Sequence, residues 1–238
     1  MEKDKLAAYL AAAVYQRRED PKRYAQPFVT ISRQAGASGR SLAQSLLDAM
    51  RADGRPLFQD WHIFDEELCE AAAADPKLSV LTDSLIDEKF RDAFEDYLAE
   101  EVGGLSPQIA VFKKLFKTVR GLAVGGKAII VGRAGRHVTH ELPGGVHVRL
   151  VAPDSMRRSM VMRRYGLAER EAGKKMKELD RSRSKLVKNY FAKDIDDSLL
   201  YDAVFNIGTL PLDTVARMIV QAAADRMDRI QSACTTAS

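Results

Sequence analysis

Strands alternating with helices along a 238-residue chain point to an α/β fold with a parallel sheet covered on both faces. Three observations carry this expectation. Short β-branched runs recur, each followed by a helical stretch; one of them turns through small residues straight into a helix; and a long helical block separates the first strand from the later ones. With 46% apolar and 29% charged residues, the chain has the material for one large core.

In order, residues 1–26 read as a helix through Tyr15 and then a basic, polar stretch ending before Pro27, an N-terminal arm rather than core. Phe28-Val29-Thr30-Ile31-Ser32 has the aromatic and β-branched content of a short buried strand. Ala35-Gly36-Ala37-Ser38-Gly39 follows, and from Ser41 onward Leu42, Leu46 and Ala49 recur at helical spacing. Residues 66–126 read as helical, with Leu85, Phe90, Phe94, Tyr97 and Leu98 in phase and Gly103-Gly104 and Gly125-Gly126 as punctuation. Strands return at Ala128-Ile129-Ile130-Val131, at Val146-His147-Val148-Arg149-Leu150-Val151 and at Tyr201-Asp202-Ala203-Val204-Phe205-Asn206. Residues 27–238 thus form one domain, with 66–126 as an insertion and 166–195 as a separate helical segment.

Several function classes are excluded at this level. No apolar run approaches the roughly 20 residues that span a bilayer, and the mixed-charge start makes a poor secretory signal. A net charge of +4 from dispersed residues does not by itself indicate nucleic-acid binding, although it suits small anions. Cys69 and Cys234 are too few and too far apart for a disulfide framework, so a reducing, cytoplasmic setting is expected. His137 and His140 are spaced His-x-x-His without an accompanying carboxylate motif, and they read as structural. Trp61 reads as core, with stacking on a base as the alternative.

A strand that turns through glycines into a helix offers backbone amides and the positive end of the helix dipole to an anion. The phosphate-loop pattern G-x-x-x-x-G-K-[ST] is met by Gln34-Ala35-Gly36-Ala37-Ser38-Gly39-Arg40-Ser41 at Gly39 and Ser41, with Gln34 for the first glycine and Arg40 for the lysine. In this reading Arg40 neutralises phosphate charge and the Ser41 hydroxyl meets Mg²⁺. Arginines also recur after strands: Arg33, then Arg133 and Arg136, then Arg157, Arg158, Arg163 and Arg164. In an open α/β sheet such positions converge on the crevice beyond the carboxyl ends of the strands, and a polyphosphate is the natural occupant.

With these pieces in place the chain resembles the cytidylate kinase-like branch of the P-loop nucleoside monophosphate kinases. The resemblance rests on residues 31–40, Phe64-Asp65-Glu66-Glu67-Leu68, Ile130-Val131-Gly132-Arg133-Ala134-Gly135, Val151-Ala152-Pro153 with Arg157, Asp180-Arg181-Ser182-Arg183 and residues 201–206, in family order across 28–222. It implies a three-layer α/β/α P-loop fold with a helical acceptor-side insertion and a mobile lid. The implied activity is transfer of the γ-phosphoryl group of ATP, held with Mg²⁺, to CMP or dCMP. By the same resemblance Gly36, Ser38, Gly39, Arg40 and Ser41, with Ala37 among them, match the phosphate loop, Asp65 matches an acidic position near the acceptor and Arg133 faces the acceptor phosphate. In the scheme built on it Arg136 joins Arg133. Arg181 or Arg183 matches the lid arginines that close over the transferring group, and Arg157 is expected to complete the cage on closure. The chain departs from better-characterised cytidylate kinases at Arg40, where they carry lysine, and at Val131 and Ala134, where they carry aspartates.

The lid segment can also be read from its own periodicity at about 100° per residue. Lys174, Lys177, Arg181, Lys185 and Lys188 form one stripe, and Met176, Leu179, Val187 and Tyr190 the opposite one. Asp180 and Arg183 lie near the apolar stripe at i, i+3, which ranks Arg183 ahead of Arg181 as the arginine entering the crevice, with Asp180 holding it or assisting Mg²⁺. Two other readings stand beside the kinase: a nucleotide-binding sensor that transfers nothing, and a P-loop kinase with a different small acceptor. The oligomeric state is left open.

Overall fold

The computed structural model describes residues 3–19, 26–86 and 107–236. Phe90, Phe94, Tyr97, Leu98 and the Gly103-Gly104 pair, read from sequence as part of the helical insertion, lie outside the described residues. The elements run α1 (Lys3–Glu19), β1 (Phe28–Arg33), α2 (Gly39–Asp53), β2 (His62–Phe64), α3 (Glu66–Ala74), α4 (Pro76–Leu85) and α5 (Pro107–Gly125). They continue with β3 (Ala128–Val131), α6 (Gly135–Thr139), β4 (Gly145–Val151), α7 (Asp154–Tyr165), α8 (Glu169–Phe191), β5 (Ala203–Asn206) and α9 (Leu212–Thr236). All strand pairs are parallel, in the order β2-β3-β1-β4-β5.

Alternation along the central strands builds the two cores. Val29, Ile31, Ile129 and Val131 face one way and meet Leu42, Leu46 and Met50 of α2 and Val215 and Ile219 of α9. Phe28, Ala128 and Ile130 face the other way, onto Leu115, Phe116, Val119 and Leu122 of α5. Register aligns the faces: Phe28 sits beside Ala128 and Gly145, Val29 beside Ile129 and Val146. Such a sheet, apolar on both sides, must be covered by helices twice over.

Three expectations change. Residues 62–64 form an edge strand beside β3, where no strand is read from sequence. The last strand begins at Ala203, because the Asp202 carboxylate turns back to accept from the His147 amide. Finally, α1 is not outside the core: Leu6, Leu10 and Ala13 are buried among the α4 and α5 side chains, and the Tyr9 hydroxyl donates to the Leu122 and Gly126 carbonyls. Among the described residues no helix is long and apolar enough to cross a membrane.

Candidate functional site

Two turns leave the carboxyl ends of neighbouring strands β1 and β3. In the first, Gly36 has φ +80° and Ser38 φ +50°, and Ser38 caps α2 without any side-chain capping bond. The amides of Gly39, Arg40 and Ser41 open α2 and have no partner within the helix. An uncapped 15-residue helix whose first turn lines a cleft is a fit for phosphate oxygens. In the second turn Gly132, Arg133 and Ala134 have φ of +85°, +51° and +53°, and all three line the smaller cleft.

Each turn borders a cleft. The larger, about 390 Å³, is lined by residues 33–41, by Asp65 and Glu66, by Arg163, Arg164 and Tyr165 of α7, and by Arg183 of α8. The smaller, about 60 Å³, is lined by Thr30 to Arg33, Gly132 to His137, Ile195 and Tyr201. Arg33, Glu66 and Arg183 line both.

Arg33 runs between the turns. A Cβ on Gly39 would lie 3.2 Å from its Cγ, and one on Gly132 would overlap its guanidinium. Its Nη2 donates to Glu66 at 3.1 Å, and Glu66 is paired with Arg133 as well. Arg133 reaches Glu70 at 2.8 Å. Burial and the neighbouring Arg183 lower the Arg33 pKa to about 10 despite Glu66, and burial also lowers that of Arg183. Burial pushes Glu66 upward, but Arg133, Arg33 and Arg183 outweigh it and hold the carboxyl below its ordinary value. Three guanidinium groups therefore share the Glu66 carboxylate, with Glu70 also beside Arg133 and Asp180 also near Arg183.

Arg40 is engaged elsewhere. Its guanidinium donates to Asp65 at 2.6 and 2.9 Å and to Glu67 at 3.1 Å, and these acids raise its pKa against the effect of its slight burial. Asp65 is the N-cap of α3 and accepts from the Leu68 amide. Ser41 and Asp65 both line the larger cleft. Arg136 lines the smaller cleft and donates to the Leu200 carbonyl.

The segment read as a lid divides cleanly. Lys174, Lys177, Arg181, Lys185 and Lys188 are all exposed, and Arg181 lines neither cleft. Arg183 enters both, with Nη1 3.4 Å from the Arg33 carbonyl. Asp180 is 3.9 Å from Arg183 but its close partners are the Ala35 amide and Arg157, both at 2.6 Å, behind the glycine turn. Arg157 and Asp180 line neither cleft. Trp61 is buried and donates to the Leu57 carbonyl. His137 stacks on Phe191 at 5.2 Å, and His140 bonds the His137 carbonyl. Sequence reading placed Arg33, Arg163 and Arg164 among the arginines converging on a polyphosphate crevice, and they line the larger cleft; it gave no role to Glu66 or Tyr165, for which the only signal was the acid following Asp65.

A glycine turn leading from the first strand into an uncapped helix, in a parallel sheet ordered 2-3-1-4-5, defines the P-loop kinase class of α/β proteins. The profile of the cytidylate kinase-like family matches residues 28–209, and the chain belongs to that family. A crystal structure of an uncharacterized protein from Eubacterium ventriosum ATCC 27560 is similar, at 23% identity and a TM-score of 0.65, over 84% of this chain and 99% of that one. A shikimate kinase from Acinetobacter baumannii in complex with shikimate aligns over 85% of this chain and 95% of its own at 12% identity, with a TM-score of 0.45. No curated protein matches the sequence.

Proposed function

We propose that the protein is an ATP-dependent phosphotransferase that moves the γ-phosphoryl group to a nucleoside monophosphate, CMP or dCMP, in a reducing, cytoplasmic setting. The observation that carries this reading is the meeting of two clefts at one cationic seam of Arg33 and Arg183. The α2 amides and the larger cleft suit a triphosphate, with Arg163, Arg164 and Tyr165 flanking its far end. The smaller cleft, with Arg133 and Arg136, suits the acceptor phosphate.

In transfer, the bond from the γ-phosphorus to the bridging oxygen of the leaving ADP breaks and one to an acceptor phosphate oxygen forms. That oxygen is already ionised at neutral pH, so no strong base is needed, and catalysis is a matter of placing charge. Arg33 and Arg183 stand where both substrates would meet and stabilise the charge spread over the moving group. Ser41, at the start of α2 and lining the larger cleft, is a hard oxygen donor that would fit Mg²⁺, whereas both Asp65 oxygens are taken by Arg40 and the Leu68 amide. Bound there with ATP, Mg²⁺ neutralises phosphate charge. In this scheme Arg40 fixes the start of α2 to α3 through Asp65, and the positive charge usually supplied by the loop lysine comes from the seam.

One observation favours a second acceptor class. At about 60 Å³ the smaller cleft is narrow, and its arginines suit a small acidic metabolite as well as a nucleotide phosphate. ADP release measured with CMP, dCMP, UMP, AMP and small hydroxy acids, with and without Mg²⁺, tests both. Turnover with a cytidine nucleotide is the expected result; turnover only with a small acid selects the second reading, and ATP binding without ADP release against any acceptor overturns both. Arg133→Lys is expected to raise the acceptor KM about tenfold or more while leaving the ATP KM within about twofold. Equal changes in the two constants would remove Arg133 from the acceptor side.

A further inference from the structure

The α7–α8 pair occupies the place of a lid, yet it is fastened to the phosphate loop by three independent contacts. The first is polar. Asp180 accepts from the Ala35 amide through Oδ1 and from Arg157 Nη1 through Oδ2, each at 2.6 Å, while the same Nη1 reaches the Ala35 carbonyl at 3.4 Å. Both faces of that peptide residue are gripped, and Asp154 steadies Arg157 from its own helix at 3.3 Å.

The second contact is steric. The Arg157 carbonyl lies so close to Gly36 that a Cβ there would overlap it. Main chain of α7 and main chain of the loop therefore touch with no side chain between them, and Gly36 combines that approach with its positive φ. The third is apolar. Ala35 is buried in a small core of its own with Val161 of α7 and Ala172 and Met176 of α8. Swinging the helices away would strip the Ala35 amide and carbonyl of their partners and open this core together.

We infer that Asp180 is a positioning residue for the phosphate loop, and that α7 and α8 near the loop form a fixed wall of the donor cleft and not a lid that swings over it. The inference rests on reading the loop as the ATP site. It also explains how Arg183, one turn beyond Asp180 on α8, lines both clefts: the register of α8 against the loop is set at Asp180. Ala35 donates its amide to Asp180 and Ala37 donates its amide to the Gln34 carbonyl, so neither of these two is left for phosphate.

Wild type, Asp180→Ala and Asp180→Asn test this through hydrogen exchange without nucleotide and calorimetry with Mg·ATP. In Asp180→Ala, amides of residues 34–39 are expected to exchange about tenfold faster or more, with those of β4 unchanged, and ATP affinity to fall about tenfold. Asp180→Asn, which keeps an oxygen for the Ala35 amide, recovers most of both. ATP binding to wild type leaves exchange in α7 and α8 near its unliganded rate. Unchanged loop exchange in both variants overturns the positioning role, and strong protection of α7 and α8 on binding ATP overturns the fixed wall. Wild type that binds no ATP, with the loop still loosened in Asp180→Ala, removes the ATP reading and upholds the role of Asp180.

Discussion

The two glycine turns differ in what they present. The first, after β1, leads into a 15-residue helix and presents main-chain amides; the second, after β3, leads into a five-residue helix and presents guanidinium groups. Amides recognise phosphate whatever the neighbouring side chains, so the first turn keeps its capability with Gln34 and Arg40 in unusual positions. The second turn depends on Arg133 and Arg136, whose placement by Glu66, Glu70 and the Leu200 carbonyl fixes what they reach. On the proposed reading, main chain holds the donor and side chains choose the acceptor.

The largest break in that comparison comes from the first turn. Gly36→Ala puts a methyl group into the Arg157 carbonyl at a φ of +80°, and initial rates are expected to fall about 10²-fold or more. A rate near wild type would mean that this turn does not form the transition-state contacts. Next, Arg183→Ala is expected to lower turnover about 10²-fold, whereas Arg40→Ala, half exposed and tied to Asp65 and Glu67, lowers it about tenfold. Arg181→Ala, on the exposed stripe, serves as the control and stays within about twofold. The reverse order for Arg40 and Arg183 would return the loop arginine to the phosphates.

A smaller effect sharpens the comparison through pH. The second turn leads to His137, whose pKa burial lowers to about 4, helped by Arg136, Lys193 and Arg149. The unfolded chain takes up this proton near pH 6.5. Between those values the unfolded state binds more protons, so stability falls as pH drops from about 6.5 toward 4. His147, lowered to about 3 chiefly by burial, adds in the same direction. His137→Phe, which keeps a ring against Phe191, is expected to make the denaturant midpoint fall less steeply from pH 7 to 4.5. An identical slope would show that His137 titrates normally.

What was legible in the sequence was what local pattern can encode. The β-branched runs of β1, β3 and β4 and the small residues of the first turn announce strands and a loop, and the period of α8 separates its exposed lysines from Met176, Val187 and Tyr190. The three-residue β2 has no room for alternation and takes its conformation from β3. The packing of α1 is hidden for a related reason, since its partners on α5 lie more than a hundred residues away. At the site, spacing put Asp180 beside Arg183 correctly but could not show that the Ala35 amide takes its carboxylate. Nor could it show that Asp65 and Arg40 meet across 25 positions. Both are tertiary facts, and both reassign a role.

The Tyr9 hydroxyl and its acceptors at Leu122 and Gly126 are separated by 113 and 117 positions. During synthesis α1 therefore leaves the ribosome well before its hydrogen-bond acceptors on α5 exist, and more than a hundred residues are made before the two can meet. Docking ties α1 to the segment that feeds β3, so a stretch made late fixes a helix made more than a hundred residues earlier.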